Sequence, residues 1–195
     1  MIETERAQLC IMQPEHVNMM MSFTQLHEKE CLTWINENIA QEQQRGFSIY
    51  NVFLKQTQKY IGYCGCNDIE LAGFPEVQLL WDLYKKYKED DIEIEVAFAL
   101  RNYIFKHFDI HSLVSLIRTT DIPDTYIAEA IDMENEGTLN IDGQKHFVYR
   151  VSRNSPKFLA SFGDGESCVL TSTLNYRENA PSPVKNLKRP RPRPK

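Results

Sequence analysis

The chain has no apolar stretch approaching the roughly 20 residues that a transmembrane helix requires. Its N-terminus, Met1 to Arg6, is acidic where a secretory signal would be basic and then apolar. These two absences argue against a membrane-spanning or secreted protein, and we expect this one in the cytoplasm.

The cysteines do not form the even, regularly spaced set that a disulfide framework requires. There are five, at positions 10, 31, 64, 66 and 168. Cys64 and Cys66 are too close together for a zinc knuckle and have no second pair downstream. The five histidines are dispersed along the chain. The sequence therefore predicts reduced, structural thiols and no metal site.

Positive charge is not in excess either. With 22 Lys and Arg against 27 Asp and Glu, the net charge is −5, which argues against a nucleic-acid binder. Neither a nucleophile elbow nor a phosphate-binding P-loop pattern occurs. Hydrophobic residues make up 42% of the 195 residues and charged residues 25%, which suits one globular domain with an appendage.

Hydrophobic periodicity and turn residues predict a chain of alternating strands and helices. The expected elements are, in order, a strand over 7–12, helices from Pro14 and over 31–44, strands over 47–54, 60–66 and 76–83, a helix from Asp90, a strand over 111–117, a helix from Pro123, and strands over 138–141 and 145–151. The order is β-α-α-β-β-β-α-β-α-β-β. Antiparallel strands followed by one strand–helix–strand crossover indicate a mixed α/β fold of the α+β type.

The composition changes after about Arg153. We predict one domain over 1–153, an extension of uncertain structure over 154–180, and a disordered basic, Pro-rich tail over 181–195. Three interpretations of the tail stay open. It is a solubilising end, a segment that binds nucleic acid or an anionic lipid surface through its charge, or a polyproline ligand for a partner's aromatic groove.

Several motifs, taken in this order, resemble the GNAT superfamily of N-acetyltransferases and in particular its RimJ/RimL-like branch. Residues 4–9 resemble the family's T-E-R-L-x-L opening, and residues 60–65 resemble its x-I-G-x-x-G strand. Glu95 lies where the central helix of the family has the Glu of G-Y-A-T-E-A. Residues 136–143 resemble the closing E-G-x-L…D-G, so the similarity spans about residues 1–153.

The resemblance implies a twisted, mostly antiparallel sheet flanked by helices and splayed between the fourth and fifth strands. Acetyl-CoA is expected in the V-shaped opening, with its diphosphate at the N-terminus of the central helix, where backbone N–H groups favour an anion. The implied function is direct acyl transfer to an amine, which would be a protein N-terminus, a lysine or a small amine. A base takes the amine proton, and a hydroxyl protonates the thiolate.

The cofactor loop departs from the family's R/Q-x-x-G-x-G/A pattern. Its two glycine positions fall on Glu89 and Asp91, and Asp90 adds a third carboxylate where a diphosphate would lie. These carboxylates could instead cap the helix, and nearby lysines could hold a phosphate from the side. The alternative function is therefore a catalytically inactive GNAT-fold binding or regulatory module.

The resemblance also suggests site residues. Glu76 is the candidate base, although a carboxylate at a strand start is also typical of a surface group. Tyr126 is the candidate acid, although it lies two positions from Ala128, where many relatives have their tyrosine. The candidate cofactor-binding residues are Leu79, Leu80, Trp81, Leu83, Lys86, Lys88, Glu89, Asp90, Asp91, Ile92 and Asp121.

Overall fold

Eight strands and four α-helices form the described part of the chain, which in the computed structural model comprises residues 2–156 and 159, with the backbone alone at 88–90. The strands are β1 Ile2–Glu3, β2 Ala7–Ile11, β3 Ile49–Leu54, β4 Tyr60–Leu71, β5 Phe74–Leu83, β6 Ser112–Arg118, β7 Glu134–Ile141 and β8 Gln144–Ser152. The helices are α1 Val17–Thr24, α2 Glu28–Arg45, α3 Ile92–His107 and α4 Ile122–Ala130, and 3₁₀-helical turns cover Pro14–His16 and Lys85–Asp90.

All eight strands join one sheet in the order β1-β2-β3-β4-β5-β6-β8-β7. Within the described residues, β5 and β6 are the parallel neighbours, and they meet at one residue pair, Gln78 with Val114. β4 and β5, in contrast, stay paired from Gly62–Leu83 to Leu71–Phe74. The sheet therefore splays between the fourth and fifth predicted strands. This confirms the predicted mixed α/β fold and its mostly antiparallel sheet.

Two apolar layers cover the two faces of the sheet, because side chains along a strand alternate between its faces. On one face, Val96, Leu100 and Ile104 of α3 are fully buried and belong to the same cluster as Leu79 and Trp81 of β5. On the other face, α1 and α2 contribute Met20, Trp34 and Ile35 to a second cluster that includes Leu80. Each such side chain stabilises the fold by about 1.5–3 kcal/mol.

The long β4–β5 hairpin corrects the sequence analysis, which expected a loop between Cys66 and Glu76. The strands continue to a two-residue turn at Ala72 and Gly73, where φ is 53° and 86°. Polar residues such as Asp68 and Glu70 are exposed on this projecting part of the hairpin. They interrupt the apolar pattern from which a strand is predicted, although the backbone pairing continues.

The two glycines of the x-I-G-x-x-G motif lie where neighbouring strands approach β4 closely. A Cβ on Gly65 would lie 2.1 Å from the Cα of Ile49, and one on Gly62 would lie 2.2 Å from the carbonyl oxygen of Asp82. No real side chain tolerates such contacts. These glycines therefore preserve the packing of the sheet at β3 and β5.

Other predictions from the sequence have mixed outcomes. Gly46 ends α2 in the left-handed conformation that its place after the helix predicts. α3 begins at Ile92, two residues later than predicted, because residues 85–90 form a 3₁₀ turn. Among the described residues, no helix is both long and apolar enough to cross a membrane. The basic tail lies outside the described residues, so its boundaries stay predictions.

A buried charge connects the two helices that follow the splayed strands. Arg101 of α3 is completely buried, and its Nη1 donates to the carbonyl oxygen of Ile131 at 2.6 Å and to a carboxylate oxygen of Asp132 at 2.7 Å. Asp132 lies two residues after the end of α4 and has a φ of 63°. The ion pair therefore holds the end of α4 against α3.

Replacing Asp132 by Asn should destabilise the protein by about 2 kcal/mol, because it removes the carboxylate that pairs with the buried guanidinium of Arg101. Asn tolerates the left-handed backbone as well as Asp does. The free energy of unfolding in urea is the measurement. Asp142→Asn is the matched control at a second Asp with positive φ, 50°, and should change it by less than about 0.5 kcal/mol. Equal losses in the two variants would contradict a special role for the ion pair.

Candidate active site

The opening between β5 and β6 exposes the main chain of β5 at one edge. The N–H of Tyr84 donates to the carbonyl of Ile61 on β4 at 2.9 Å. In an antiparallel pair, every second residue directs its N–H and C=O groups at the partner strand. Counting back from Tyr84, every second residue of β5 therefore directs these groups towards β4. The residues between them, Leu79, Trp81 and Leu83, direct theirs towards the opening. Their side chains are buried in the core, so any contact they make with a cofactor would involve the main chain.

Two side chains of the protein already bond to this edge. The Ser115 hydroxyl donates to the carbonyl oxygen of Leu79 at 2.7 Å. Glu93, in the first turn of α3, accepts the N–H of Leu83 at 2.9 Å and is only 1% exposed. The main chain of Trp81 lies between these two bonds and is the central part of the open edge.

The predicted contact residue Leu80 does not lie on this edge. It pairs with Gly65 of β4, and its side chain belongs to the apolar cluster beneath α1 and α2. The alternation of a strand explains the difference, because neighbouring residues cannot present the same groups to the same side.

The N-terminus of α3 lies at the mouth of the opening, and Asp91 is the residue immediately before the helix. This residue has a φ of 56° in the left-handed region, and its side chain makes no hydrogen bond to the first helical turn among the described residues. Asp91 therefore does not cap the helix through a side-chain hydrogen bond, and capping by the other loop carboxylates stays a prediction. The backbone conformation is one that glycine adopts readily and that Asp tolerates.

A small cavity of about 70 Å³ separates the start of α3 from α4. Asp91, Glu93 and Ile94 line it on one side, and Pro123, Tyr126 and Ile127 line it on the other. Tyr126 is 62% exposed. The structure thus brings Tyr126 close to the start of α3.

Comparison with known proteins identifies the fold and the family. The family model described as an acetyltransferase (GNAT) domain matches residues 2–134. The chain belongs to the GNAT acetyltransferase family. Solved structures of RimL are among those whose fold resembles that of this chain.

Three solved structures illustrate the likeness of this GNAT chain to its relatives. A GNAT-family acetyltransferase from Bacillus anthracis is 16% identical with a TM-score of 0.62, over 79% of this chain and 99% of that one. An acetyltransferase from Agrobacterium tumefaciens is 22% identical with a TM-score of 0.64, over 77% and 92%. RimL, a ribosomal L7/L12 alpha-N-protein acetyltransferase in complex with coenzyme A, is 16% identical with a TM-score of 0.66, over 76% and 95%. At these identities the likeness shows the fold.

GNAT acetyltransferases use acetyl-CoA, and the residues present fit that group in part. The open edge at Trp81 and the start of α3 offer main-chain groups to a pantetheine arm and a diphosphate. The carboxylates of Asp91 and Glu93, however, bring negative charge to the same place. At about 4 Å and moderate dielectric, like charges repel by about 4 kcal/mol. The main-chain groups of this GNAT site are therefore suited to bind acetyl-CoA, whereas the carboxylates of Asp91 and Glu93 would repel its diphosphate.

The other predicted cofactor-binding residues have different surroundings. The ammonium of Lys86 lies 4.8 Å from the ring centroid of Tyr87, and the side chain is exposed. Ile92 is buried, and Asp121 is the residue before α4. Lys88, Glu89 and Asp90 are described by their backbone alone, so their roles stay predictions.

The structure does not bring Glu76 and Tyr126 together. Arg150 of β8 donates to both carboxylate oxygens of Glu76, at 2.8 and 3.0 Å, and these bonds are the main cause of the raised pKa of Arg150. Glu76 is two residues before Gln78, on the side of the strand junction away from the opening. Tyr126 lies beyond the other end of β6, and a strand of seven residues spans about 20 Å.

Arg150 is a residue that sequence reasoning missed. It also donates to Glu136 at 2.8 Å and to the hydroxyl of Ser112 at 2.8 Å, so it holds four strands together at this end of the sheet. No local pattern predicts the contact between β5 and β8, because the two strands are separated by β6 and by 74 residues of chain.

Glu93→Gln should strengthen the binding of coenzyme A about tenfold, because the amide removes a negative charge from the cleft while its oxygen still accepts the Leu83 N–H. Isothermal titration of the two proteins with coenzyme A is the measurement. Glu70→Gln, an equal change of charge on the exposed β4–β5 hairpin, is the control and should leave the affinity unchanged. A folded Glu93→Gln variant with the original affinity would show that this carboxylate does not oppose the cofactor.

Proposed function

We propose that this chain is an N-acyltransferase that uses an acyl-CoA, with acetyl-CoA as the first candidate, to acylate an amine. One observation carries the proposal. The parallel strands β5 and β6 pair only at Gln78 and Val114 among the described residues, which leaves an edge where a pantetheine arm can bond like an added strand. The acceptor classes are a protein N-terminus, a lysine side chain and a small amine, and the cytoplasm is the proposed location.

In this proposal the main chain supplies most of the donor site. Trp81 bonds the pantetheine arm, and the first N–H groups of α3 after Asp91 bind the diphosphate, which the helix dipole favours. The bound group supplies an acyl thioester that an amine can attack. Tyr126 lines the mouth of the cleft and is the candidate to protonate the leaving thiolate.

Glu76 is the proposed base because of its position in the sequence. Its hydrogen bonds to Arg150 limit that role. A base must offer a lone pair to the acceptor amine. Both oxygens of Glu76 already accept from Arg150, so the amine would have to approach the lone pairs that remain or to act through a water. A Glu76→Gln variant that transfers acyl groups at the normal rate would remove Glu76 from the mechanism.

A second candidate function is a GNAT-fold binding or regulatory module without catalysis. The hydrogen bond that the Leu83 N–H donates to the Glu93 carboxylate favours the module. A side chain of the protein then occupies a main-chain donor that an acyl-CoA would otherwise use. The two functions differ in a measurable property, since the module does not need to bind acyl-CoA.

Titration of the full chain with acetyl-CoA separates the two candidates. Binding in the micromolar range, followed by acyl transfer to an amine, supports the enzyme. Absence of both heat and thermal stabilisation at millimolar acetyl-CoA contradicts it and favours the module.

Variants at Asp91 test how the loop works. Asp91→Asn removes the charge and keeps a residue that tolerates positive φ, so the affinity should rise about fivefold to tenfold. Asp91→Gly should do the same, because it restores the glycine of the family pattern. If Asp91→Gly strengthens binding and Asp91→Asn does not, the obstacle is the Cβ rather than the charge. The double variant Glu89→Gly with Asp91→Gly restores both glycines.

A further inference from the structure

A buried serine on β6 lies directly beyond the residue pair that joins β5 to β6. β5 is paired with β4, and β6 with β8, along the whole length of each strand. Between β5 and β6, in contrast, the described residues pair only at Gln78 and Val114. Because β4 and β8 fix the two strands from outside, the contacts at this junction decide how deep the cleft between β5 and β6 extends.

Ser115 closes the junction with its side chain. Its hydroxyl donates to the carbonyl oxygen of Leu79 at 2.7 Å, so a side-chain hydrogen bond continues the contact between the strands by one residue towards the opening. Ser115 is 2% exposed, and Leu79 is fully buried. Leaving a buried hydroxyl and a buried carbonyl unbonded is costly, which favours a closed junction.

The neighbours of Ser115 pack the closed end of the cleft. Alternate residues of a strand share a face, so Ser115 faces α3 together with Leu113 and Ile117, which belong to the apolar cluster beneath that helix. Across the strand it pairs with Tyr149 of β8, whose hydroxyl donates to Glu129 of α4 at 3.0 Å. The cleft therefore ends at a packed wall that both helices support.

The length of the cleft along β5 suits a pantetheine arm. From Leu83, beside the start of α3, back to Leu79 the strand extends over about 13 Å, at about 3.3 Å per residue. In the proposed donor site the diphosphate lies at the start of α3. The acyl end of an arm that follows β5 inwards past Trp81 therefore approaches the bond between Ser115 and Leu79.

We propose that Ser115 determines the length of the acyl chain that the donor cleft accepts, and that its bond to Leu79 restricts the donor to short acyl groups such as acetyl. The inference rests on the proposed use of an acyl-CoA. Without this bond, β5 and β6 separate by one further residue, about 3.3 Å, which is the length of about two methylene groups. The loss of the Ser115 hydroxyl therefore makes room for a butyryl chain.

Isothermal titration of the full chain with acetyl-CoA and with butyryl-CoA tests the proposal without an acceptor or catalysis. The unaltered protein should bind butyryl-CoA at least about tenfold more weakly than acetyl-CoA, because the closed junction excludes two added methylene groups. In Ser115→Ala the difference should fall to about twofold or less, since the added methylene groups are then buried favourably. Ser115→Gly also removes the hydroxyl, so it should give the same result and replaces Ser115→Ala if that variant does not fold.

Hydrogen exchange measures the junction itself in the absence of any acyl-CoA. Ser115→Ala should raise the exchange rates of the main-chain amides of Leu79 and Trp81 about threefold or more, because β6 no longer holds β5 there. Ser115→Thr keeps the hydroxyl and should retain both the slow exchange and the preference for acetyl-CoA. The matched control is Ser48→Ala, which removes a fully buried hydroxyl that donates to Glu42 at 2.9 Å, and it should change neither quantity. Thermal melting checks that each variant is folded.

Equal affinities of the unaltered protein for the two acyl-CoAs would overturn the proposal. A preference for acetyl-CoA that persists unchanged in the folded Ser115→Ala or Ser115→Gly variant would overturn it as well, and the proposed donor site would stand. If neither acyl-CoA binds, the proposed function fails and this inference fails with it. If the preference depends on Ser115 and the protein transfers no acyl group, the inference stands and only the transfer step is refuted.

Discussion

The single parallel junction between β5 and β6 is the constraint on which the rest of this structure depends. Parallel strands require a crossover, and here α3 supplies it. Because the two strands pair only at Gln78 and Val114 among the described residues, they diverge towards the ends from which α3 and α4 begin. The start of α3, the cavity and Tyr126 therefore meet at one opening. On the other side of the junction, Arg150 bonds to Glu76, Ser112 and Glu136 and holds the strands together.

At two positions an aspartate has the left-handed backbone conformation that is typical of glycine. Asp91, at a position that the family pattern assigns to glycine, and Asp132, after α4, both have positive φ, 56° and 63°. At Asp91 a backbone conformation that glycine adopts readily is thus retained with a carboxylate added. Asp132 uses its carboxylate to neutralise the buried Arg101. Asp91, in contrast, is exposed and lines the cavity between the start of α3 and α4.

The last residues of β5 border a cavity on each side of the strand. The N–H of Leu83 is directed towards α3 and donates to Glu93, whereas Asp82 lines the cavity beside the end of α1.

The sequence by itself determined the order of the main elements, the start of the central helix to within two residues, the end of α2 at Gly46 and the family, because periodicity and special backbone residues act over a few positions. It also showed the run of acidic residues at 89–91 before the central helix. Only the tertiary structure decided that Glu76 binds Arg150, that Glu93 reaches Leu83 and that Leu80 faces away from the opening. It also gathered Phe23, Tyr63, Asp82 and Tyr84 around one cavity. These contacts depend on strand register and on the packing of distant segments, and a local pattern carries no information about the partner that a side chain will meet.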